Sequence, residues 1–196
     1  MAYQRWQKEQ GIPVITGYYV EDVHALPLAP WPAMGVPAAF INLVGAADIA
    51  DARLYQIPPR SSLSPHKHLY EELDYVLRGR GRAAVWQEGG PRQSFDWGEG
   101  SLFSPPLNAF HELSNPYDEA ALILTVTDAP LIMNLFHNLE FVFNCPFPFR
   151  DRYDGEELYF AAQGTLHGER LWESNFITDV RSVQLIDRSR RGAGGK

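Results

Sequence analysis

Ser64-Pro65-His66-Lys67-His68-Leu69-Tyr70-Glu71-Glu72-Leu73-Asp74-Tyr75-Val76-Leu77-Arg78-Gly79-Arg80-Gly81 is the stretch around which this chain is organised. Successive side chains on an extended backbone alternate between faces, so His66 and His68 offer their imidazoles to one point. Glu72 adds a carboxylate a few residues on. Two neutral imidazoles and a carboxylate, with other coordination positions left open, suit a divalent transition metal: Fe(II) first, with Mn(II), Ni(II) and Zn(II) as alternatives. A His-x-His pair alone is also what two exposed strand histidines look like. Here Glu72 is followed by a mostly apolar run, 73–77, that reads as a strand, and Gly79 and Gly81 read as a tight turn at its end.

Further along, Gly100-Ser101-Leu102-Phe103-Ser104-Pro105-Pro106-Leu107-Asn108-Ala109-Phe110-His111-Glu112-Leu113-Ser114-Asn115 supplies a fourth ligand in His111. Together the two stretches resemble the paired motifs of the cupin superfamily. His66, His68, Glu72 and Gly79 stand at the positions of the first motif; Gly100, Pro106, His111 and Asn115 stand at those of the second. Asn108 departs from the pattern, which has glycine there, and is expected to alter one turn before His111 without removing a ligand. The resemblance implies an all-β fold, a double-stranded β-helix or jelly-roll barrel, with the metal held inside by His66, His68, Glu72 and His111.

A chain of 196 residues with 45% hydrophobic and 13% aromatic content has room for one barrel and a real core. The stretch from Met1 to Glu9 is polar and lacks an apolar signal core, and no apolar run reaches membrane-spanning length. A cytoplasmic protein with no membrane partner is expected. Cys145 is the only cysteine, so no internal disulfide forms, and a small buried hydrophobe is its ordinary role. The net charge of −7 argues against nucleic acid as a partner. Residues 181–196 hold five basic residues and one acid, leaving about −11 on the rest, and the glycines there mark a flexible basic tail.

The organisation expected is an N-terminal arm with a first strand (1–50), the barrel (51–130), a covering segment (131–180) and the tail (181–196). The arm carries Trp6, Tyr18, Tyr19, Trp31 and several prolines, too apolar to stay solvated and unsuited to a long helix. It serves either as a strap on its own barrel or as an arm on a neighbour's sheet. Within the barrel, 53–57, 72–77, 83–87, 93–97, 102–104, 110–114 and 121–126 read as strands, and Glu88-Gly89-Gly90-Pro91 as a hairpin turn. The apolar stretch 131–143 reads as a short helix or a covering strand. Residues 172–181 resemble the connector that follows the first barrel in two-barrel cupins, so the chain is similar to the N-terminal half of a bicupin.

Strand alternation puts Glu72, Asp74 and Val76 on one face. Asp74 then either points into the metal cavity, as an acid, a base or an orienting group, or sits near a rim in a salt bridge to Arg53, Arg80 or Arg82. Trp86, Phe103, Phe110, Met133 and Phe136 are the candidates for lining or closing the pocket, while His24, His137 and His167 are assigned no chemistry. Three functions fit these residues. The first is a metal-dependent dioxygenase acting on a small aromatic or diketone-like molecule; the second is a non-catalytic ligand-binding cupin; the third is a metal-dependent isomerase or lyase. A homodimer is expected, because a small jelly roll leaves sheet edges and an apolar sheet face to cover.

Overall fold

Buried and exposed side chains alternate along most of the chain between Asp51 and Thr127, and that period of two is what folds it into stacked sheets. The computed structural model describes residues 1–46, 48–162, 164–167 and 171–183. Ahead of the barrel come helix α1 (Ala2–Glu9) and strands β1 (Val14–Gly17), β2 (Ala29–Trp31) and β3 (Val36–Leu43). The barrel strands are β4 (Asp51–Ile57), β5 (Ser61–Ser62), β6 (Glu72–Arg78), β7 (Arg80–Trp86), β8 (Gln93–Gly98), β9 (Leu102–Phe103), β10 (Phe110–Asn115) and β11 (Ala121–Thr127). Helices α2 (Ala129–Phe136) and α3 (Leu139–Asn144) follow, then the hairpin β12 (Thr165–His167) with β13 (Leu171–Glu173), and β14 (Phe176–Ile177).

The larger sheet runs β1-β3-β4-β11-β6-β9-β14, with β2 also on β3, and the smaller runs β5-β10-β7-β8. Counting β4 to β11 as a run, the larger sheet takes its first, eighth, third and sixth members and the smaller its second, seventh, fourth and fifth. That interleaving is the jelly-roll order. Between the sheets lie Phe40, Tyr55, Ile57, Val76, Val85, Leu113 and Ile123, all buried. Each such side chain contributes roughly 2 kcal/mol of burial. The glycines of the first motif divide their labour in a way the sequence reading did not separate. Gly79, at φ +86°, is the corner where the chain passes from the larger sheet to the smaller. Gly81 instead lies inside β7, packed under the Trp97 ring. The expected turn at 88–91 joins β7 to β8, closed by Gly90 N–H on the Gln87 carbonyl.

Of the two roles open to the N-terminal segment, the fold takes the first: it straps its own barrel. Helix α1 buries Ala2, Tyr3, Trp6 and Gln7, a face that a reading of Met1 to Glu9 as merely polar overlooks. Trp6 meets Phe40 edge-on with ring centroids 5.6 Å apart, and Trp31 stacks on Tyr55 at 5.9 Å. β1 then pairs parallel with β3, and β2 pairs with β3 from the other direction.

The segment 131–143 becomes two helices, not a strand. Pro130 sits in the first turn of α2, His137 ends it with φ +52°, and Asn138 caps α3 by accepting from Phe141 N–H at 3.0 Å. Phe176 of β14 pairs with Phe103 of β9, so the connector-like stretch joins the larger sheet. The tail residues 184–196 lie outside the described residues. Among the described residues no helix is long and apolar enough to cross a membrane.

Candidate metal centre

Two pieces of backbone geometry bring the ligand candidates together. His66 and His111 exchange both backbone hydrogen bonds across an antiparallel bridge, at 3.1 and 2.9 Å, so their side chains leave the same face side by side. Their ring centroids are 4.1 Å apart. His68 is fixed from the second motif, its carbonyl accepting from Asn108 N–H at 3.0 Å, and Glu72 opens β6 on the inward face. One donor atom from each of His66, His68, Glu72 and His111 lies within 4.8 Å of all the others.

Hydrogen bonds behind the rings decide what those atoms can do. The Nδ1 atoms of His66, His68 and His111 face the carbonyls of Ser64, Tyr70 and Ala109 at 2.8, 2.8 and 3.1 Å. A carbonyl only accepts, so each Nδ1 carries the proton and each Nε2 keeps a lone pair. His68 Nε2 stands 3.0 Å from Glu72 Oε2, and His111 Nε2, 3.7 Å from Glu72 Oε1, is buried with no hydrogen-bond partner among the described residues. Lone pairs aimed at one another and at a carboxylate repel. A divalent cation at their focus removes the repulsion, and the donor set is one that transition metals favour.

The electrostatics agree. Burial, reinforced by His111, pushes the His66 imidazole well below its ordinary value, and burial pushes His111 down to about 4. Burial works against the charge on Glu72, yet a proton on any of the facing rings, His68 first and then His111 and His66, would outweigh it, so the carboxyl lies well below the usual range and ionises before the imidazoles do. Asp74 moves the other way: burial, then the charge of Glu72, raises it well above the usual carboxylate value.

A pH dependence follows. His66 and His111 stay neutral in the fold while the unfolded chain takes up protons near its ordinary histidine value, 6.5. Their contribution is therefore complete above that pH and is lost as pH falls toward 4. Each site removes up to about 1.4 kcal/mol per pH unit. Thermal melting of chelator-treated protein across this range should show a falling transition; a rise on acidification would contradict the assignment of neutral rings.

Asp74 is inward and fully buried, so the rim salt bridge does not form. Its Oδ1 accepts from Thr125, the residue opposite it on β11, and its Oδ2 has no partner. The three arginines go elsewhere: Arg53 to Asp51, Arg82 to Asp96, and Arg80 over the Tyr117 ring.

The pocket candidates scatter. Phe110 precedes His111 in β10, so when His111 points inward Phe110 points out, and it stacks there on Trp86, its register partner, with centroids 5.6 Å apart. Arg92 covers the Trp86 ring and Lys67 the Phe110 ring. Phe103 is inward beside Asp74 but packs on Phe95 and Phe176. Met133 is buried in the core, and Phe136 lies at the surface, 44% exposed, against Phe141. Of the aromatic side chains, Tyr70 lies flat on His68, and Tyr55 is close enough to feel the charge of Glu72. The sequence signal for Tyr55 was strand parity from Arg53; Tyr70 carried none.

Asn108 also corrects an expectation. It adopts φ +56°, so the turn keeps the left-handed conformation that glycine would supply. Its side-chain amide donates to the carbonyls of Cys145 and Phe147 at 3.0 and 2.8 Å, and Lys67 Nζ reaches the Cys145 carbonyl at 2.9 Å. These bonds tie the segment after α3 to both ligand-bearing loops. Asn108→Gly keeps the backbone and loses the bonds, at about 1–2 kcal/mol; Asn108→Ala adds left-handed strain of about 1 kcal/mol. Urea unfolding should rank Ala below Gly, and the reverse order would remove the conformational argument.

A jelly roll with three imidazoles and one carboxylate focused inside it, contributed by the two motifs in order, decides the architecture. This is a jelly-roll barrel, the fold that the resemblance to cupins implies. No protein-family model matches the chain, and no curated protein is similar to it in sequence. Solved structures resemble it over part of their length. An oxalate decarboxylase from Lactobacillus farciminis, in a formate complex, is 24% identical with TM-score 0.47, covering 55% of this chain and 32% of its own. The Bacillus subtilis oxalate decarboxylase E162A mutant is 21% identical with TM-score 0.46, covering 54% and 28%. A further structure of the Bacillus subtilis enzyme, which has Mn(II) centres, is 23% identical with TM-score 0.45, covering 52% and 27%. The chain thus spans about a third or less of the length of these neighbours.

Proposed function

We propose that this cupin is a metal-dependent dioxygenase acting on a small aromatic or diketone-like compound, with Fe(II) as its first metal and Mn(II), Ni(II) or Zn(II) accepted by the same donors. The observation that carries the reading is the convergence of three unprotonated Nε2 atoms and the Glu72 carboxylate on one point. A redox-active ion there would supply Lewis acidity toward the substrate and electrons toward O₂. Glu72 would provide the anionic donor, with His66, His68 and His111 as the neutral ones. His66 is the least buried of the four, so substrate reaches the centre from its side.

Asp74 favours a second reading on the same metal, a lyase or isomerase. Burial and then the charge of Glu72 raise its carboxyl well above the usual value, which favours a proton on a group whose Oδ2 has no hydrogen-bond partner among the described residues, and an acid of that kind would serve proton transfer to a substrate. Chelator-treated protein loaded anaerobically with Fe(II) or Mn(II), then offered catechols and β-diketones, separates the cases. Oxygen uptake dependent on both metal and substrate supports the dioxygenase. Turnover without oxygen moves the assignment to the lyase class, and ligand affinity equal with and without metal moves it to a binding module.

We also propose a homodimer and the division 1–50, 51–130, 131–180 and 181–196. The outer face of the larger sheet is partly covered, where Val20, Leu26 and Leu28 pack over Ile41, Leu54 and Leu122. Beyond that cover, Leu73 and Val126 face each other across β6 and β11, each 42% exposed, beside the half-buried pair Tyr75 and Leu124. A two-fold contact would bury this row on its own copy. Light scattering at micromolar concentration should give twice the chain mass, falling to one on Leu73→Glu; a monomer in the parent protein ends the proposal. Deleting residues 1–34 is not a usable test, because Tyr3, Trp6, Trp31 and Met34 belong to the core.

A further inference from the structure

Behind His68 runs a chain of buried polar groups that the proposed chemistry does not use. The Tyr70 ring lies flat against the His68 imidazole, centroids 3.6 Å apart and planes within 6°. The Tyr70 carbonyl also accepts the His68 Nδ1 proton at 2.8 Å. One residue therefore controls both freedoms of the ligand: the hydrogen bond sets where Nε2 points, and the flat contact sets the tilt of the ring.

Tyr70 is itself held in place. Its hydroxyl accepts from Arg53 Nη1 at 2.9 Å, and the guanidinium carbon stands 5.1 Å from its ring centroid. Arg53 is only 2% exposed, lies over Trp6 and Phe40 as well, and donates through Nε to Asp51 at 3.1 Å. The same Asp51 oxygen accepts from the Tyr3 hydroxyl at 2.7 Å, and Gln7 Nε2 donates to that hydroxyl at 2.7 Å. A buried guanidinium is costly to desolvate, and an aliphatic side chain would fill the same volume. Its geometry makes sense as a brace: it joins helix α1 to the ring that lies on His68.

We propose that Tyr70 is the positioning residue of His68 and that Arg53, with Asp51 and α1, holds Tyr70, so that the N-terminal helix helps to set the affinity of the metal centre. This rests on reading His66, His68, Glu72 and His111 as that centre. Outer partners of metal ligands commonly change affinity by roughly 10- to 100-fold, and a stacked ring that fixes tilt acts in the same way as a hydrogen bond that fixes direction.

The test uses Co(II), whose visible bands report ligand geometry, added to chelator-treated full-length protein in competition with a chromophoric chelator, alongside thermal melting of the metal-free proteins. Tyr70→Leu should weaken Co(II) binding by roughly 10- to 100-fold and shift its bands. Tyr70→Phe keeps the flat ring and the carbonyl but loses the hydroxyl that Arg53 holds, and its affinity should fall between those of the parent and Tyr70→Leu. Ile57→Val, buried toward the other end of β4, should lower the melting point but leave affinity and bands unchanged. Should Tyr70→Leu fail to fold, Arg53→Lys removes the Nη1 brace and should weaken binding in the same direction. Parent-like affinity and bands in Tyr70→Leu, or in Arg53→Lys where that stands in, overturn the positioning role alone. A parent protein that binds Co(II) no better than His111→Ala overturns the metal centre, and the positioning role falls with it.

Discussion

Glu72→Gln is expected to weaken divalent-metal binding by at least about 100-fold while leaving the barrel folded, and to abolish any metal-dependent turnover. Glu72 is the single anionic donor among the four, so its amide removes the charge that balances the ion. The same change should not harm the metal-free protein. His68 Nε2 lies 3.0 Å from a Glu72 oxygen with a lone pair to satisfy, and a glutamine amide in that place donates to it. Metal affinity and metal-free stability should therefore move apart, affinity falling and melting temperature holding or rising. Melting curves with and without Co(II) or Fe(II) measure both at once. A Glu72→Gln protein that keeps parental affinity would mean that the carboxylate is no ligand, and one that melts far lower without metal would mean that the hydrogen-bond assignment of His68 is wrong.

Gly81→Ala is expected to destabilise the fold by about 3 kcal/mol or more, for a reason unrelated to chemistry. A Cβ at Gly81 would fall 2.2 Å from Trp97 Cζ2 and 2.3 Å from the Ser114 carbonyl oxygen. The indole is walled in at 3% exposure, and the carbonyl belongs to β10, the strand that carries His111. Relief of the clash requires β7 and β10 to part, which disturbs the ladder that sets His111 opposite Val85. Against a total stability of roughly 5–15 kcal/mol, such a loss is large. Gly98→Ala is the control, since nothing lies within 4 Å of a Cβ there. Urea unfolding should show a much lower midpoint for Gly81→Ala and an unchanged one for Gly98→Ala; equal midpoints would refute the packing account.

What the sequence determined by itself was local. The spacing of His66, His68 and Glu72, the order of the two motifs and the period of two in 72–77 and 110–114 are properties of short stretches, and strand geometry turns them directly into faces. That is why the shared face of His66 and His68 and the inward direction of Asp74 could be read, while the jelly-roll class came from the resemblance to cupins, and why Phe110, next to His111, could have been recognised as outward from the same parity. Depth and partnership were decided only in three dimensions. Parity turned Asp74 inward, but only the crossing of Thr125 on β11 gave it a buried hydroxyl in place of an arginine salt bridge. The N-terminal segment had two homes on composition alone, and the packing of Trp6 on Phe40 and of Trp31 on Tyr55 selected its own barrel. Tyr70 and Arg53 lie 17 positions apart, and Arg53 and Thr127 lie 74 apart. No local pattern encodes such meetings, because they follow from the register of strands distant in sequence, and register is settled by burial of the whole sheet at once.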